Sequence, residues 1–390
     1  MSNSSDKLSQ AIRIRAVKTP EREHSTPLYL TSSFTFDDAE SMRAAFAEET
    51  DDNIYSRYSN PTVDEFIDKM CMLEGAEAGF ATSSGMSAVF ASIFSLLQQG
   101  DHLLCCSSVF GSTFTLVTKY LPKYGISCTL VPANDTDAWE AAIQPNTKMV
   151  YLETPTNPQL EIIDLEWAGQ FAKQHKVILN VDNCFATPLL QQPIKFGAHL
   201  VVHSATKWID GQGRVMGGIV VGNADLVREI YLFCRNTGPS LSPFNAWVLS
   251  KSLETLDVRM QRHCENAMKV AEALQDMPQV AWVKYPFLKG HPQYNIAIKQ
   301  MSAGGGVLCF ELRGGLDAGR KFLDNLQMLS VTPNLGDSRS IASHPASTTH
   351  FKLTEEERLA VGITPGLIRI SVGLEKVDDI ISDILQALNA

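Results

Sequence analysis

The sequence predicts an α/β protein, with a large domain built on a mostly parallel sheet and a smaller α/β domain after it. Two patterns predict the large domain. From about residue 78, apolar runs of strand length alternate with helical segments, the order expected of parallel strands wrapped by helices. Those runs are nearly continuous in apolar residues, as strands covered on both faces are. A third pattern predicts the small domain. After about residue 250 a long helical segment leads to a strand entered through three glycines.

Composition agrees with this class. The chain has 390 residues, 44% apolar and 19% charged, which gives a globular core and argues against disorder. It carries 33 Lys and Arg against 43 Asp and Glu, a net charge of −10. Nucleic acid and anionic membrane surfaces are poor partners for such a chain. The N-terminal residues lack the apolar stretch of a secretory signal, and no apolar run reaches the ~18 residues of a membrane span. A cytoplasmic protein is expected. The eight cysteines are scattered without a CxxC pair, so reduced structural thiols are expected. HExxH is also absent, and no metal site is expected.

Residues 1–60 are polar and weakly periodic and read as an arm with little core of its own. The expected strands of the large domain are 102–106, 128–131, 149–153, 177–181 and 199–203. The helices between them are 87–97, 113–123, 136–143 and 165–175. In the small domain, 254–274 reads as a long helix and 304–312 as a strand. Residues 377–388 place Val377, Ile380, Ile384 and Leu388 on one helical face.

Parallel sheets place ligands at the carboxyl ends of their strands, and three segments there carry chemistry. The strand ending at Asp182 closes an apolar run with a carboxylate. An acid in that place can cap a helix, or it can hold a heterocyclic nitrogen protonated and make the ring an electron sink. The next strand ends in HSATK at 203–207. Lys207 reads either as a surface lysine or as an amine of lowered pKa able to form a Schiff base. Ser204 and Thr206 add hydroxyls beside it. The third segment, TSSGMS at 82–87, opens an apolar helix. Its amides, Gly85 and Met86 among them, suit a phosphate. GxxxxGK[ST] is absent and no early GxGxxG opens a helix, so the nucleotide motifs are missing. One ligand meets all three demands, namely pyridoxal 5'-phosphate.

The chain resembles the Cys/Met-metabolism family of pyridoxal-phosphate enzymes nearly end to end. The resemblance rests on YSRYSNPT (55–62), SGMSA (84–88), VHSATK (202–207), HPASTTH (344–350) and GLIRISVGLE (366–375). It implies the aminotransferase-like fold, fold type I. An N-terminal arm (1–60) would contact a neighbouring subunit, with a cofactor domain (61–250) and a C-terminal domain (251–390) after it. It also implies a homotetramer made of two catalytic dimers. Tyr55 and Arg57 would reach the neighbour's phosphate, and Phe110 would stack on the ring where many relatives have Tyr. Asn157, Asn334 and Arg369 would meet the substrate, and Arg369 would clamp its α-carboxylate. Cys184 stands where Thr or Ser is usual, and simple packing is its plainer reading.

Ser112 stands where methionine γ-lyases typically carry Cys. NLGDSRS (334–340), GQGRVMGG (211–218) and GPSLSPFN (238–245) look like the sulfhydrylase branch. The resemblance therefore implies γ-replacement, in which O-succinylhomoserine and sulfide give homocysteine and succinate. Cystathionine γ-synthase, cystathionine γ-lyase and O-acetylhomoserine sulfhydrylase activities stay open, because those enzymes share nearly every catalytic residue. Arg339 is a candidate partner for a succinyl carboxylate.

Overall fold

A computed structural model describes residues 7–14, 19–348, 351, 354–360 and 362–390. Thr349 and His350 of the HPASTTH segment lie outside the described residues, as do 1–6 and 15–18 of the arm.

Seven strands form the large sheet: β1 (Ala78–Thr82), β2 (His102–Cys106), β3 (Ser127–Val131), β4 (Thr147–Glu153), β5 (Ile178–Asp182), β6 (Leu200–Ser204) and β7 (Gly218–Gly222). Their order is β1-β7-β6-β5-β4-β2-β3. The ladders from β3 to β6 are parallel. β7 runs antiparallel to both its neighbours. Leu103, Leu104, Leu152, Leu179, Val181, Leu200 and Val201 are buried, which accounts for their unbroken apolar runs. β1 and β7 are additions to the sequence reading. β7 begins and ends in glycine, which weakens a strand signal.

The expected helix 113–123 is three segments. An α-helical turn (Gly111–Thr115) passes into a π-helical turn (Leu116–Tyr120) and then a 3₁₀ turn (Leu121–Tyr124). Pro122 is the reason, since it has no amide to give and its ring crowds the carbonyl four residues back. The ladder widens ahead of it, and the Leu121 amide donates to the Leu116 carbonyl. The helix Leu165–His175 has the bounds read from the sequence, with Asp164 accepting from the amides of Glu166 and Trp167.

The second sheet comprises β8 (Val280–Lys284), β9 (Val307–Leu312), β10 (Ser330–Val331), β11 (Ile341–Ser343) and β12 (Leu367–Ser371), in the order β10-β11-β12-β9-β8. Only β10 and β11 are parallel. Among the described residues, no helix is long and apolar enough to cross a membrane.

The 20-residue helix Leu256–Gln275 joins the two sheets. Arg259 donates to the carbonyls of Trp208 (2.6 Å) and Ile209 (3.2 Å). The His263 ring meets Trp208 edge-on at 4.7 Å, and its Nδ1 donates to the Val372 carbonyl at 2.7 Å. His291 braces the Asn157 side, where its Nε2 donates to the Leu160 carbonyl at 3.0 Å.

Both histidines are buried. Burial depresses each from 6.5 to about 4. Each is neutral when folded, while the unfolded chain takes up a proton near pH 6.5. Their contribution is therefore complete above about pH 6.5 and is lost as pH falls toward 4. At ~1.4 kcal/mol per unit, each is worth on the order of 3 kcal/mol. Urea unfolding at pH 7 and pH 5 tests this. The wild type should lose more stability over that interval than the doubly substituted His263→Gln, His291→Gln protein. Equal losses would contradict the assignment.

Candidate active site

The carboxyl ends of β4, β5 and β6 form the floor of the site. Asp182 ends β5, where its Oδ1 accepts from the Cys184 amide (3.0 Å) and its Oδ2 from the Tyr151 hydroxyl (3.3 Å). In register beside it, Glu153 ends β4. Glu153 is buried and accepts from the Phe110 amide at 2.8 Å. Burial raises both carboxyls above the ordinary range, and for Glu153 the neighbouring Asp182 charge adds to the effect.

β6 ends in Ser204. The helix Gly85–Phe94 begins against it, with Ser84 accepting from the Ser87 amide at 3.1 Å. A Cβ at Gly85 would lie 2.6 Å from the Ser204 Cβ and 2.8 Å from its Oγ. Glycine is therefore the residue that lets this helix start reach the strand end. The first amides of the helix, at Gly85 and Met86, have no intrahelical acceptor. Thr206 Oγ1 exchanges 3.2 Å hydrogen bonds with the carbonyl and amide of Gly217. Two free amides and two hydroxyls at a positive helix end suit a phosphate.

Above this floor is a cavity of about 890 Å³. Of the residues singled out in the sequence, Phe110, Ser112, Asn157, Thr206, Lys207, Asn334 and Arg369 line it. Lys207 follows β6, and its Nζ donates to Asn334 Oδ1. Burial lowers the Lys207 pKa from its ordinary value; Cys184 opposes the shift and Arg369 reinforces it. Asn334 is held over Lys207 by a close loop. A Cβ at Gly336, which has φ +77°, would lie 2.7 Å from the Trp208 amide nitrogen and 2.9 Å from the Lys207 carbonyl carbon.

Arg369, on β12, is 7% exposed. It donates to Asn157 Oδ1 and to the carbonyls of Pro333 and Asn334, each at 3.0 Å. Its buried Nε has no acceptor, and no carboxylate pairs with it among the described residues. Burial lowers its pKa to about 10. A buried guanidinium held only by neutral oxygens is a site for an anion.

Ser204, Gly85, Met86 and Asp182 sit at the strand ends and helix start without lining the cavity. Tyr55 and Arg57 do not reach it within one chain. Tyr55 is exposed, and Arg57 donates to the Arg235 carbonyl and lies over the rings of Tyr55 and Tyr58 at 5.3 and 5.0 Å. Among the described residues, no group of His, Cys, Asp and Glu forms a candidate metal site. Cys184 is half-buried, and burial raises its thiol pKa.

Glu153 and Tyr151 escaped the sequence reading. Glu153 had a usable signal, since it is an acid closing a predicted apolar strand, the same pattern that drew attention to Asp182. Tyr151 reads as core and shows nothing until its hydroxyl is seen against Asp182.

These residues fit pyridoxal phosphate. The anion cup, the buried acid in need of a cation and the amine of lowered pKa each answer one part of it.

Residues 9–389 match the family of Cys/Met metabolism PLP-dependent enzymes. An O-succinylhomoserine sulfhydrylase of Pseudomonas aeruginosa is 47% identical over 380 residues, covering 97% of this chain and 94% of that one. An L-methionine gamma-lyase of Porphyromonas gingivalis is 44% identical over 368 residues, covering 94% and 92%. A crystal structure from Campylobacter jejuni, described as an O-acetylhomoserine (thiol)-lyase with N'-pyridoxyl-lysine-5'-monophosphate, superposes with a TM-score of 0.95 at 35% identity. It covers 99% of this chain and 100% of that one. The fold is therefore that of the fold type I enzymes, the cofactor is pyridoxal phosphate, and the chain belongs to the Cys/Met metabolism family of PLP-dependent enzymes.

Proposed function

We propose that the protein is a transferase catalysing γ-replacement, in which O-succinylhomoserine and hydrogen sulfide give homocysteine and succinate. One observation carries the reading. A single cavity holds the amine of Lys207 and the buried guanidinium of Arg369, which has no carboxylate of its own. The 47% identity to an O-succinylhomoserine sulfhydrylase supports the choice of donor, and Ser112 in the cavity wall supports replacement over methionine elimination.

Bound pyridoxal phosphate supplies an aldehyde that captures amines and a ring that accepts electrons from the substrate carbon. Lys207 bears the amine that would hold it. Gly85, Met86, Ser204 and Thr206 would hold its phosphate, Asp182 would face its ring nitrogen, and Phe110 would cover one ring face. Arg369 binds the α-carboxylate through its fork, with Asn157 and Asn334 fixing the guanidinium. Burial keeps the Lys207 amine neutral at a lower pH than a free lysine. That amine is the base for the Cα proton and afterwards for the Cβ proton. In the net reaction the Cγ–O bond breaks and a Cγ–S bond forms. The proton released by hydrogen sulfide is balanced by the succinate that departs.

The arm and domain division at 60 and 250, contact of the arm with a neighbour, the homotetramer and the cytoplasmic location belong to the same proposal. Tyr55 and Arg57 would act across the subunit contact.

Three measurements test it. Lys207→Ala should lower turnover by about 10³-fold or more, and near-normal turnover would remove Lys207 from the role of base. Asn334→Asp sets a carboxylate against the amine, which raises its pKa. The acid limb of kcat should then move up by about one pH unit, and an unmoved limb would contradict the Lys207 assignment. In a product assay, O-succinylhomoserine with sulfide should outpace the same donor with cysteine. Faster cystathionine formation would overturn the choice of nucleophile.

A further inference from the structure

The chain carries a net charge of −10, yet its cavity has the opposite sign. Lys119, Lys207, Arg214 and Arg369 line it, and no Asp or Glu does among the described residues. Three of these cations are accounted for. Lys207 bonds to Asn334. Arg369 awaits the α-carboxylate under the reading above. Arg214 is neutralised by the buried Asp210, to which its amide donates at 2.7 Å and its Nε at 3.0 Å.

Lys119 is the remaining cation. It is exposed, and its ammonium makes no hydrogen bond or ion pair with the described residues. Its backbone is fixed, because it lies in the π-helical turn Leu116–Tyr120, anchored by the buried Leu116, Val117 and Leu121. Ser112, Thr115 and Lys119, spaced at three and four residues, share one wall of the cavity. The sequence candidate Arg339 lies beside the lining residue Gly213, where it is taken up by Asp337. It does not line the cavity, its side chain is 68% exposed, and it is paired with Asp337 at 3.1 Å.

The donors open to this enzyme differ at one end. A succinyl ester ends in a second carboxylate, whereas an acetyl ester ends in a methyl group. Arg369 lies at the inner wall and serves the carboxylate that both share. A flexible ammonium on a fixed turn, in a cavity wall that carries no Asp or Glu among the described residues, suits a terminal carboxylate whose exact position varies.

We propose that Lys119 is the specificity-determining residue that binds the terminal carboxylate of a dicarboxylic acyl donor. The proposal rests on the γ-replacement reading and adds which residue reads the acyl group.

The test uses holoenzyme and a kcat/KM comparison of O-succinylhomoserine with O-acetylhomoserine, each with sulfide. For Lys119→Ala the succinyl-to-acetyl ratio should fall about five- to tenfold, carried mainly by the succinyl KM, as loss of one charge-assisted contact predicts. Lys119→Glu should lower the ratio further, and Lys119→Arg should restore it. Calorimetric titration of the holoenzyme with free succinate gives a reading apart from turnover. Succinate should bind more weakly to Lys119→Ala than to wild type, and added salt should narrow the difference. An unchanged ratio with unchanged succinate binding would overturn the assignment of Lys119. Absence of homocysteine from the wild type with either donor would instead overturn the γ-replacement reading.

Discussion

The contact between Lys207 and Asn334 joins two halves of the molecule that the chain builds separately. Lys207 follows β6 of the large sheet. Asn334 lies between β10 and β11 of the small one, and its carbonyl accepts from Arg369 on β12. Amine, amide and guanidinium thus form one line across the sheet boundary. Its geometry tolerates little slack, because a misplacement of about 1 Å at a reacting centre can cost about 10²-fold in rate. The packing reflects this. Gly336 sits against the Lys207 backbone where any side chain would clash. Trp208, the next residue, is clasped by Arg259 and His263 from the joining helix.

Charge is sorted across the site. The floor holds two carboxyls, Asp182 and Glu153, side by side at the ends of neighbouring strands. The cavity above holds cations and no acid among the described residues. Burial works against each set: it raises the floor carboxyls and lowers Lys207 and Arg369. A ligand with a cationic ring nitrogen and anionic groups meets both needs at once, and this electrostatic demand is the protein's contribution to affinity. Glu153 also ties the floor to the wall through the Phe110 amide. Asp182 and, through Glu153, the Phe110 backbone are therefore positioned by adjoining strands.

The legible parts of the sequence were those where burial is continuous. Four of the five expected strands of the large sheet and the helix Leu165–His175 differ from the structure by at most one residue at either end, and β4 starts two residues earlier. β7 is hard to read because it begins and ends in glycine and reverses direction where alternation predicts parallel strands, and β1, AGFAT, offers only one bulky apolar residue. Lys207, Asp182 and the Gly85 turn were legible as chemistry from their place at strand ends. Asn334 and Arg369 were not, because nothing local distinguishes an Asn in a loop or an Arg in a strand. Their identification rested on family motifs, and only the three-dimensional structure shows why they belong with Lys207. Lys119 was hidden inside a segment that reads as an ordinary helix, and the Pro122-induced widening of that helix is a backbone effect that periodicity does not report. Tyr55 and Arg57 show another limit, since one chain does not bring them to its own cavity.

The account depends on a single amine being the covalent anchor of the cofactor. Borohydride reduction of the native holoenzyme, followed by proteolysis and mass spectrometry, reads that directly. The pyridoxyl mass should fall on the peptide containing Lys207 and on no other. Label on a different lysine, with the Lys207 peptide unmodified, would contradict the arrangement of the whole site.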